Sequence, residues 1–546
     1  MERTEEYYSS AGSEAVPGAA RSPLEEVSSE ELMAFPPSPA RPSWMRTRFP
    51  VDMDEYRRLV EEAQQPDPTE TGAAEAIVDT TTADEDTQAA EALSLVDPPE
   101  GEAITAPDAA APALTRSFDG IGQTAWVPAD PAIAVGPNHV LVAVNTDLAG
   151  YSKAGTLLFR WANMTTLFGP VLPSGASLFD PRLAYDHYSQ RWIVVVDARR
   201  ASPAGSWIMV AVSQGTNPAG AYWVWALDAR LDGSTLTSNW ADYSMLGFDT
   251  QGIYITSNMF AFNGGFQYTK LRILRKSELY AGGVGPSHSI RWHDFWNMRN
   301  PDNSMAFTVQ PAAHFRGLGG NPPAYLVNAI WANSDRLTLW TLSNPLALWI
   351  GGTASLSRVS VPCRSYELPP QAIQRDTSTR IATNDTRLLN AVYQNAGGFQ
   401  RLWTSHTSKH TWSGDAEARS VVQWYEINVP SSQVVQQNRY GASGMYYYFP
   451  VIQTDLARNA YIAFGRSGAN EYASLRQTGR RVTDAANDLQ GSALVKAGEG
   501  TNTSGRWGDY FGIARDGGDS STVWGYGMYA GTGNTWKTRA YSARFG

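Results

Sequence analysis

The chain has 546 residues, with 43 Lys and Arg against 53 Asp and Glu, which gives a formal net charge of −10. Apolar residues make up 42% and aromatic residues 11%, a composition that excludes a coiled coil, a collagen-like chain and a wholly disordered chain. No apolar run reaches the length of about 18 residues that a membrane-spanning helix needs. The single cysteine, Cys363, excludes an intrachain disulfide and a multi-cysteine metal site.

The first residues, MERTEEYYSSAGSEAV, are acidic and lack the basic segment and apolar core of a conventional secretory signal. We therefore expect a protein that is either cytoplasmic or exported by a non-classical route.

Charge divides the chain into two parts. Residues 1–113 hold 25 Asp and Glu and 7 Arg with no Lys, a net charge of −18, whereas the remainder carries +8. The first part is rich in Ala, Glu, Pro, Ser and Thr, and such a segment cannot bury enough apolar surface to offset the entropy of ordering its backbone. The sequence predicts a disordered acidic leader over residues 1–113.

A short helix is expected within this leader, near residues 52–64. Its apolar stripe comprises Met53, Tyr56, Leu59 and Val60, which share one helical face. This helix would either dock a partner or be a local bias within a solubilising tail. A third alternative is that the acidic leader folds back over the basic part, a contact that salt would weaken.

From residue 114 onward the chain consists of short runs rich in Val, Ile, Tyr, Trp and Thr between Gly, Asn, Asp and Pro clusters, which is typical of many short strands. One weak unit recurs seven times, as a short strand, a tight polar turn and a strongly apolar strand. Its copies begin near Asp130, Asp180, Asp242, Gln310, Ser378, Phe449 and Asp509.

Seven units of this kind predict an all-β, seven-bladed β-propeller over residues 114–546. The ring would be closed by a strand near residues 115–127 in the last blade, or by the C-terminal WKTRAYSARF completing the first blade. A pair of β-sandwiches is the competing fold, but it does not explain a repeat along the whole length.

The repeat places Asp130, Asp180, Asp242 and Asp509 at equivalent positions near the channel mouth, and Arg182, Arg380 and Arg506 lie within three residues of such positions. Such a ring could bind a divalent cation such as calcium through carboxylate oxygens, or hold an anion by bidentate arginine contacts. The competing interpretation is that each Asp caps a turn by accepting backbone N–H groups. The candidate ligand-binding residues are Asp130, Asp180, Asp242, Arg380, Arg506 and Asp509.

Other candidates are weaker. Four of the 19 tryptophans stand directly beside Gly or Asn, and the tryptophans would either stack on sugars or pack between blades. The pair His406 and His410 has metal-ligand spacing only on a helix, which its Thr and Ser neighbours disfavour. His293 beside Asp294 is a possible acid–base pair. Phosphate-loop, dinucleotide, nucleophile-elbow and zinc-protease motifs do not occur.

The pieces FDPRLAYDHYSQRW, WADYSMLGFD and RWGDYFGIARD resemble a broad group of largely uncharacterised bacterial β-propeller proteins, which is distantly similar to the sialidase-like, or BNR-repeat, propellers. The resemblance covers about residues 115–546. The family's Ser-x-Asp-x-Gly-x-x-Trp turn matches Thr216, Pro218, Gly220 and Trp223, with Pro in place of Asp. It implies the propeller fold, but the arginine triad and Tyr/Glu nucleophile pair of sialidases have no assigned counterparts here.

We therefore expect a ligand-binding propeller that recognises or acts on acidic glycans at the channel mouth, with catalysis left undecided. One alternative is a non-enzymatic platform that binds proteins. Another is an exported or packaged effector whose leader docks an export or packaging machine. No nucleic-acid partner is expected.

Overall fold

The computed structural model describes residues 111–284, 288–315 and 323–546, and the backbone of four two-residue strands nearer the N-terminus. These are β1 (Tyr7–Tyr8), β2 (Ala19–Ala20), β3 (Arg46–Thr47) and β4 (Val78–Asp79). The predicted helix near residues 52–64 and the predicted disorder of the leader lie outside the described residues.

The described chain begins with β5 (Ala113–Asp119) and β6 (Trp126–Val127). It then folds into four-stranded antiparallel meanders, which we number in chain order. Meander 1 contains β7 (Ala132–Val135), β8 (His139–Ala143), β9 (Leu148–Ser152) and β10 (Leu157–Trp161). Meander 2 contains β11 (Ser177–Asp186), β12 (Arg191–Arg200), β13 (Gly205–Ser213) and β14 (Tyr222–Asp228).

A small hairpin of β15 (Leu231–Asp232) and β16 (Thr235–Leu236) leads into meander 3. Meander 3 contains β17 (Asn239–Phe248), β18 (Gly252–Ala261), β19 (Phe266–Arg275) and β20 (Trp292–Phe295). Meander 4 contains β21 (Gln310–Pro311), β23 (Ala324–Ala329), β24 (Ser334–Ser343) and β25 (Ser355–Tyr366), with β22 (Ala313–Phe315) following its first strand.

The last three meanders complete the ring. Meander 5 contains β26 (Asn390–Ala396), β27 (Phe399–His410), β28 (Arg419–Asn428) and β29 (Gln433–Tyr440). Meander 6 contains β30 (Met445–Thr454), β31 (Ala460–Gly468), β32 (Glu471–Arg480) and β33 (Ala493–Lys496). Meander 7 contains β34 (Gly512–Arg515), β35 (Val523–Gly531), β36 (Thr535–Arg544) and, from the start of the described chain, β5.

Helices are short in the described residues. The α-helices are α1 (Thr165–Phe168) and α2 (Lys276–Tyr280), and 3-10 turns occupy Ala162–Met164 and Ala347–Ile350. None of these helices has the length and apolar character needed to cross a bilayer.

The fold is an all-β propeller, but its blades do not form seven separate sheets. Meanders 1, 2, 4, 6 and 7 are five sheets of their own, whereas meanders 3 and 5 belong to one ten-stranded sheet. The link is β22, which pairs in parallel with β17 through Ala313 and with β26 through Ala313, His314 and Phe315. The predicted seven separate blades are therefore wrong as a count of sheets, because β22 adds backbone pairing between inner strands that the repeat does not reveal.

The first of the two predicted ring closures is the one that forms. β5 pairs antiparallel with β36, with Ser117 opposite Tyr541 and Phe118 opposite Ala540. The start of the described chain thus completes the last sheet, and β36 is not left as an unpaired edge.

Tryptophan mainly fills the space between sheets. Trp192, Trp225, Trp292, Trp340, Trp424, Trp507, Trp524 and Trp536 are all fully buried. Trp207 and Trp296 are half-buried. Most of the aromatic content therefore packs the blades, as large apolar side chains do when they stabilise a core.

Candidate ligand site in the central channel

A left-handed residue recurs at or just before the inner strand of six meanders. It is Asp130, Asp180, Tyr243, Thr308, Asn384 or Phe449, with φ between 50° and 57°. In β11, β17 and β30 this residue coincides with a bulge, because the register to the neighbouring strand shifts there. The repeat found in the sequence thus corresponds to a repeated backbone kink that lies before or within the inner strands.

Side chains of the preceding meander cap these kinks. The Oδ1 of Asn145 accepts the N–H of Asp180 at 2.8 Å, and the Oδ1 of Asn258 accepts the N–H of Thr308 at 2.8 Å. The hydroxyl of Thr407 accepts the N–H of Phe449 at 3.1 Å. Each such bond satisfies a buried amide at a bulge and joins two meanders.

Four of the six predicted site residues converge on one network. The Oδ2 of Asp130 accepts from the Nδ2 of Asn145 at 2.6 Å, and its Oδ1 accepts the N–H of Asp509 at 2.8 Å. Asn145 also binds Asp180, and Arg506 donates to both carboxylate oxygens of Asp509 at 3.1 Å. Asp130 thus acts as a cap in the structure, and the ligand-binding role of these residues stays a prediction.

Asp242 and Arg380 stand apart from these hydrogen bonds. Asp242 is buried on β17 opposite Asn258, and its charge acts on Arg199. Arg380 is exposed and donates to the carbonyl of Gln371 at 3.4 Å.

The structure does not test the predicted calcium site. No group of three or more His, Cys, Asp or Glu side chains in the described part of the chain could hold a metal ion. Both carboxylate oxygens of Asp130 accept from N–H groups, and calcium binding stays a prediction.

The inner strands enclose a central channel of about 130 Å³. Its walls are mainly aliphatic, with Ile133, Leu183, Leu246, Leu389 and Ile513 among them, and amides come from Gln310, Asn390 and Gln453. Among the described residues that line the channel, the only charged side chains are Arg182 and Arg515. The channel therefore presents positive charge and carries neither a carboxylate nor a histidine on its described wall.

Arg182 lies at the closed end of the channel. Its guanidinium carbon is 3.2 Å from the centroid of the Tyr510 ring and 5.0 Å from that of Tyr243, and its Nε donates to the carbonyl of Ser244 at 3.1 Å. The residue is 8% exposed, and its Nη2 is buried with no hydrogen-bond partner in the described part of the chain. A buried guanidinium N–H without an acceptor is costly.

Two tyrosines close this end of the channel. The Tyr243 hydroxyl donates to the carbonyl of Asp509 at 3.1 Å, and the Tyr510 hydroxyl donates to that of Pro181 at 2.9 Å. Burial raises the pKa of Tyr243 to about 12 and that of Tyr510 well above its usual value. Both phenols therefore stay neutral and keep these bonds, which cross the channel from one inner strand to another.

The channel becomes accessible toward the C-terminal ends of its strands. Arg182 and Tyr510 are buried, whereas Ala184, Ala514 and Arg515 are half-buried. At this second end the Arg515 guanidinium lies 4.1 Å from the centroid of the Phe315 ring. A small ligand would reach Arg182 by passing Phe315 and Arg515.

The histidine candidates do not form a metal or acid–base site. His406 and His410 lie on the strand β27, and His406 is buried with its Nδ1 donating to the carbonyl of Thr386 at 2.6 Å. Asp294 forms a fully buried pair with Arg272, at 2.7 and 2.8 Å. These groups support the packing of the sheets.

The sequence places Arg182 near the predicted ring without including it among the six candidate ligand-binding residues, and it does not select Tyr243, Tyr510 or Asn145. Arg182 follows the Asp180-Pro181 opening by one residue, which was a usable signal because side chains near a kink can turn into the channel. Asn145 gave no signal, since it meets Asp130 and Asp180 only in the folded ring.

Comparison with known proteins yields fold-level neighbours alone. No family model and no curated protein matches the chain. Among solved structures, a protein of unknown function from Dyadobacter fermentans is 9% identical, with a TM-score of 0.33 over 80% of this chain and 99% of that one.

Sialidases are among the solved structures that are similar in this way. A mutant Trypanosoma rangeli sialidase that displays trans-sialidase activity is 9% identical, with a TM-score of 0.35 over 79% of this chain. This chain spans 60% of the length of that sialidase. An α-L-arabinofuranosidase from Fusarium graminearum is 7% identical, with a TM-score of 0.29 over 65% of this chain and 89% of that one. At these identities and TM-scores the solved structures are distant neighbours of this chain.

Proposed function

We propose that this propeller is a binding protein for an acidic ligand, taken up in the central channel with Arg182 as its anchor. Acidic glycans are the proposed ligand class, with the carboxylate or sulfate of a terminal sugar directed at the guanidinium. The seven meanders are proposed to act as seven blades, with β22 joining two of them at the channel wall.

The observation that carries this proposal is the Nη2 of Arg182, which is buried at the end of a channel and has no hydrogen-bond partner among the residues that the structure describes. A bound oxyanion would supply the missing acceptor, and a charged hydrogen bond in a low-dielectric site is strong. The guanidinium also lies over the Tyr510 ring and donates through Nε to the carbonyl of Ser244. Such a pre-organised fork suits a planar carboxylate.

Charge along the channel supports an anionic ligand. Both charged residues of the described lining, Arg182 and Arg515, are arginines. Arg515 is half-buried near the accessible end, where it would attract an anion before that anion reaches Arg182.

The same lining favours binding over hydrolysis. Glycosidases of the common kinds use a pair of carboxylates on either side of the scissile bond. The described channel wall contains no Asp or Glu, and the nearby Asp130 and Asp509 are engaged by N–H donors. This arrangement supports a binding protein, while the platform and cargo alternatives predict no acidic ligand at all.

Calorimetric titration of the full chain with glucuronic acid, N-acetylneuraminic acid and inorganic sulfate tests the proposal. Arg182→Gln is expected to abolish binding and Arg515→Gln to weaken it. Arg380→Gln is the matched control, because Arg380 is exposed on the surface.

The titration is repeated with calcium and with a chelator, since calcium is a separate prediction. If no acid binds, or if Arg182→Gln binds as tightly as the unaltered protein, the proposed function is wrong. A loss in Arg380→Gln instead would place the site on the surface around Arg380 and outside the channel.

A further inference from the structure

A second cavity, of about 370 Å³, lies beside meander 1, and we call it the side pocket. It is lined by Ala125, Trp126, Thr146, Asn163, Thr165, Leu172, Ala176, Ser177 and Leu178. It shares no lining residue with the central channel. In contrast to the channel, none of the described residues that line it is charged.

The polar rim of the side pocket is held in place by an ion pair behind it. Arg160 donates to the Oδ2 of Asp147 at 2.9 and 2.5 Å, and the Oδ1 of Asp147 accepts the N–H of Asn163 at 3.0 Å. The hydroxyl of Thr146 donates to the Oδ1 of Asn163 at 3.2 Å. With its carbonyl oxygen fixed in this way, the Asn163 amide has its Nδ2 left to donate to a ligand.

Three polar groups of the rim make no side-chain hydrogen bond to any residue that the structure describes. They are the Nδ2 of Asn163 and the hydroxyls of Thr165 and Ser177. The amide donates, and each hydroxyl both donates and accepts. The rim therefore offers neutral donors and acceptors in a mixture that matches a row of ligand hydroxyl groups.

The backbone of the rim is preformed. Asn163 and Met164 have φ of 57° and 45°, which Asn tolerates but Met rarely adopts. Met164 keeps this conformation because its side chain is fully buried with Leu167 and Phe168. Packing thus fixes the segment that carries Asn163 and Thr165, and little ordering remains to oppose binding.

One wall of the side pocket is apolar and rigid. Trp126 is 8% exposed, and its carbonyl accepts the indole N–H of Trp536 at 2.9 Å. Leu172 and Leu178 line the same cavity. An aromatic wall facing neutral polar groups fits a ligand with one apolar and one hydroxyl-bearing surface, as a pyranose ring has.

We propose that the side pocket is a binding site for a neutral sugar residue. The lack of charge among its described lining residues disfavours the acidic ligands expected in the channel. Its amide and hydroxyl groups would bond sugar hydroxyls while the ring packs toward Trp126. The proposal stands whether or not the channel binds an acid, because the two cavities share no lining residue.

The experiment is saturation-transfer NMR and calorimetry of the full chain with maltose, cellobiose, lactose and xylobiose. At least one of these is expected to bind. Thr165→Val and Asn163→Gly each remove one rim group, and glycine is compatible with the positive φ of position 163. Each variant is expected to bind about tenfold more weakly, which is the effect of one hydrogen bond at the upper end of its usual range.

Thr166→Val is the matched control, since Thr166 is exposed on the same helix and does not line the side pocket. Its affinity should stay unchanged, and thermal melts check that all variants fold. The proposal is overturned if none of the four disaccharides binds, or if the rim variants bind as the control does. Loss of binding in Arg182→Gln would also overturn it, since the sugar would then lie in the channel.

Discussion

The carboxylate of Asp130 accepts the backbone N–H of Asp509 at 2.8 Å, across 379 positions of the chain. Asp130 precedes the first inner strand of the ring and Asp509 precedes the last. The bond therefore joins the two meanders at which the propeller closes, beside the β5–β36 pairing that closes the same ring at its outer side. A side chain found as a ligand candidate in the sequence thus has a structural task.

Substitution of Asp130 should therefore lower the free energy of unfolding. Asp130→Ala removes both acceptors from a buried site, which is expected to lower the free energy of unfolding by about 2–3 kcal/mol. Asp130→Asn keeps one acceptor but faces the N–H donors of Asn145 and Asp509 with an amide, so an intermediate loss is expected. Urea unfolding measures both, with the exposed Asp335→Ala as control. An unaffected Asp130→Ala would contradict the cap.

The pairing of β5 predicts where the chain can be shortened. A chain that begins at residue 111 keeps β5 and should melt close to the full chain. A chain that begins at residue 120 leaves β36 as an open edge, and we expect a lower melting temperature and aggregation. Melting and light scattering compare the two. The predicted boundary between residues 113 and 114 falls just after the first residue of β5. Equal melting temperatures of the two shortened chains would argue against closure of the ring by β5.

The sequence repeat locates the kinked residues of the inner strands to the very residue in some meanders and approximately in others. Asp130, Asp180 and Phe449 were placed as repeat openings, and each carries the positive φ of the kink. Elsewhere the kinked residue is Tyr243, Thr308 or Asn384, up to six positions from the predicted start. The sequence locates the kinked residue only to within a few positions, because the kink constrains the backbone and several types of side chain can occupy it.

The strand composition was enough to predict an all-β propeller, since alternation and turn residues act locally. The sequence does not predict the link through β22, because its parallel pairs join Ala313 to Phe248 and Val392 from two distant segments. For the same reason Arg182 could be noticed beside a repeat opening, but its stacking on Tyr510 could not.

Two glycines of the inner strands are predicted to be intolerant of a methyl group. A Cβ at Gly247 would lie 2.7 Å from the backbone carbon of Pro311, and one at Gly512 would lie 2.8 Å from the backbone nitrogen of Ile133. Both contacts are to backbone of the neighbouring inner strand, which cannot turn aside. Alanine at either site should cost about 1–3 kcal/mol of stability through overpacking.

Gly215→Ala and Gly122→Ala are the controls for these substitutions, because nothing lies within 4 Å of an added Cβ there. Urea unfolding of the four variants gives the comparison. Losses of equal size in all four would show that close approach of the inner strands is not the cause.

Arg182 and Arg387 both approach the Tyr243 ring, at 5.0 and 4.5 Å, but should respond differently to replacement by methionine. Arg387 pairs with the buried carboxylate of Asp385, at 2.8 and 2.5 Å. Arg387→Met would leave that buried charge without its guanidinium partner and should lower the free energy of unfolding by about 3–5 kcal/mol. Arg182→Met removes a guanidinium whose Nη2 has no partner among the described residues, together with one Nε bond to Ser244, so the loss without ligand should be smaller, at about 1–2 kcal/mol.

Chemical unfolding without and with an acidic ligand separates the two variants. Arg387→Met should be unstable in both conditions. Arg182→Met should lose little stability without the ligand, and adding the ligand should not stabilise it. A large loss in ligand-free Arg182→Met would mean that the arginine serves the fold, and the binding proposal would lose its main support.

Because it contains buried histidines, the protein is expected to become less stable as the pH falls below 6.5. Burial lowers the pKa of both His314 and His406 to about 4, so between pH 6.5 and 4 the unfolded chain binds protons that the folded chain does not. Stability is therefore greatest above pH 6.5, and at pH 5 each histidine should have cost about 2 kcal/mol. His406→Gln removes one titrating group, so its unfolding free energy should be lower at pH 7 but should fall less steeply toward pH 5. Urea unfolding at half-unit intervals measures both slopes, and identical slopes would show that His406 is not held neutral in the fold.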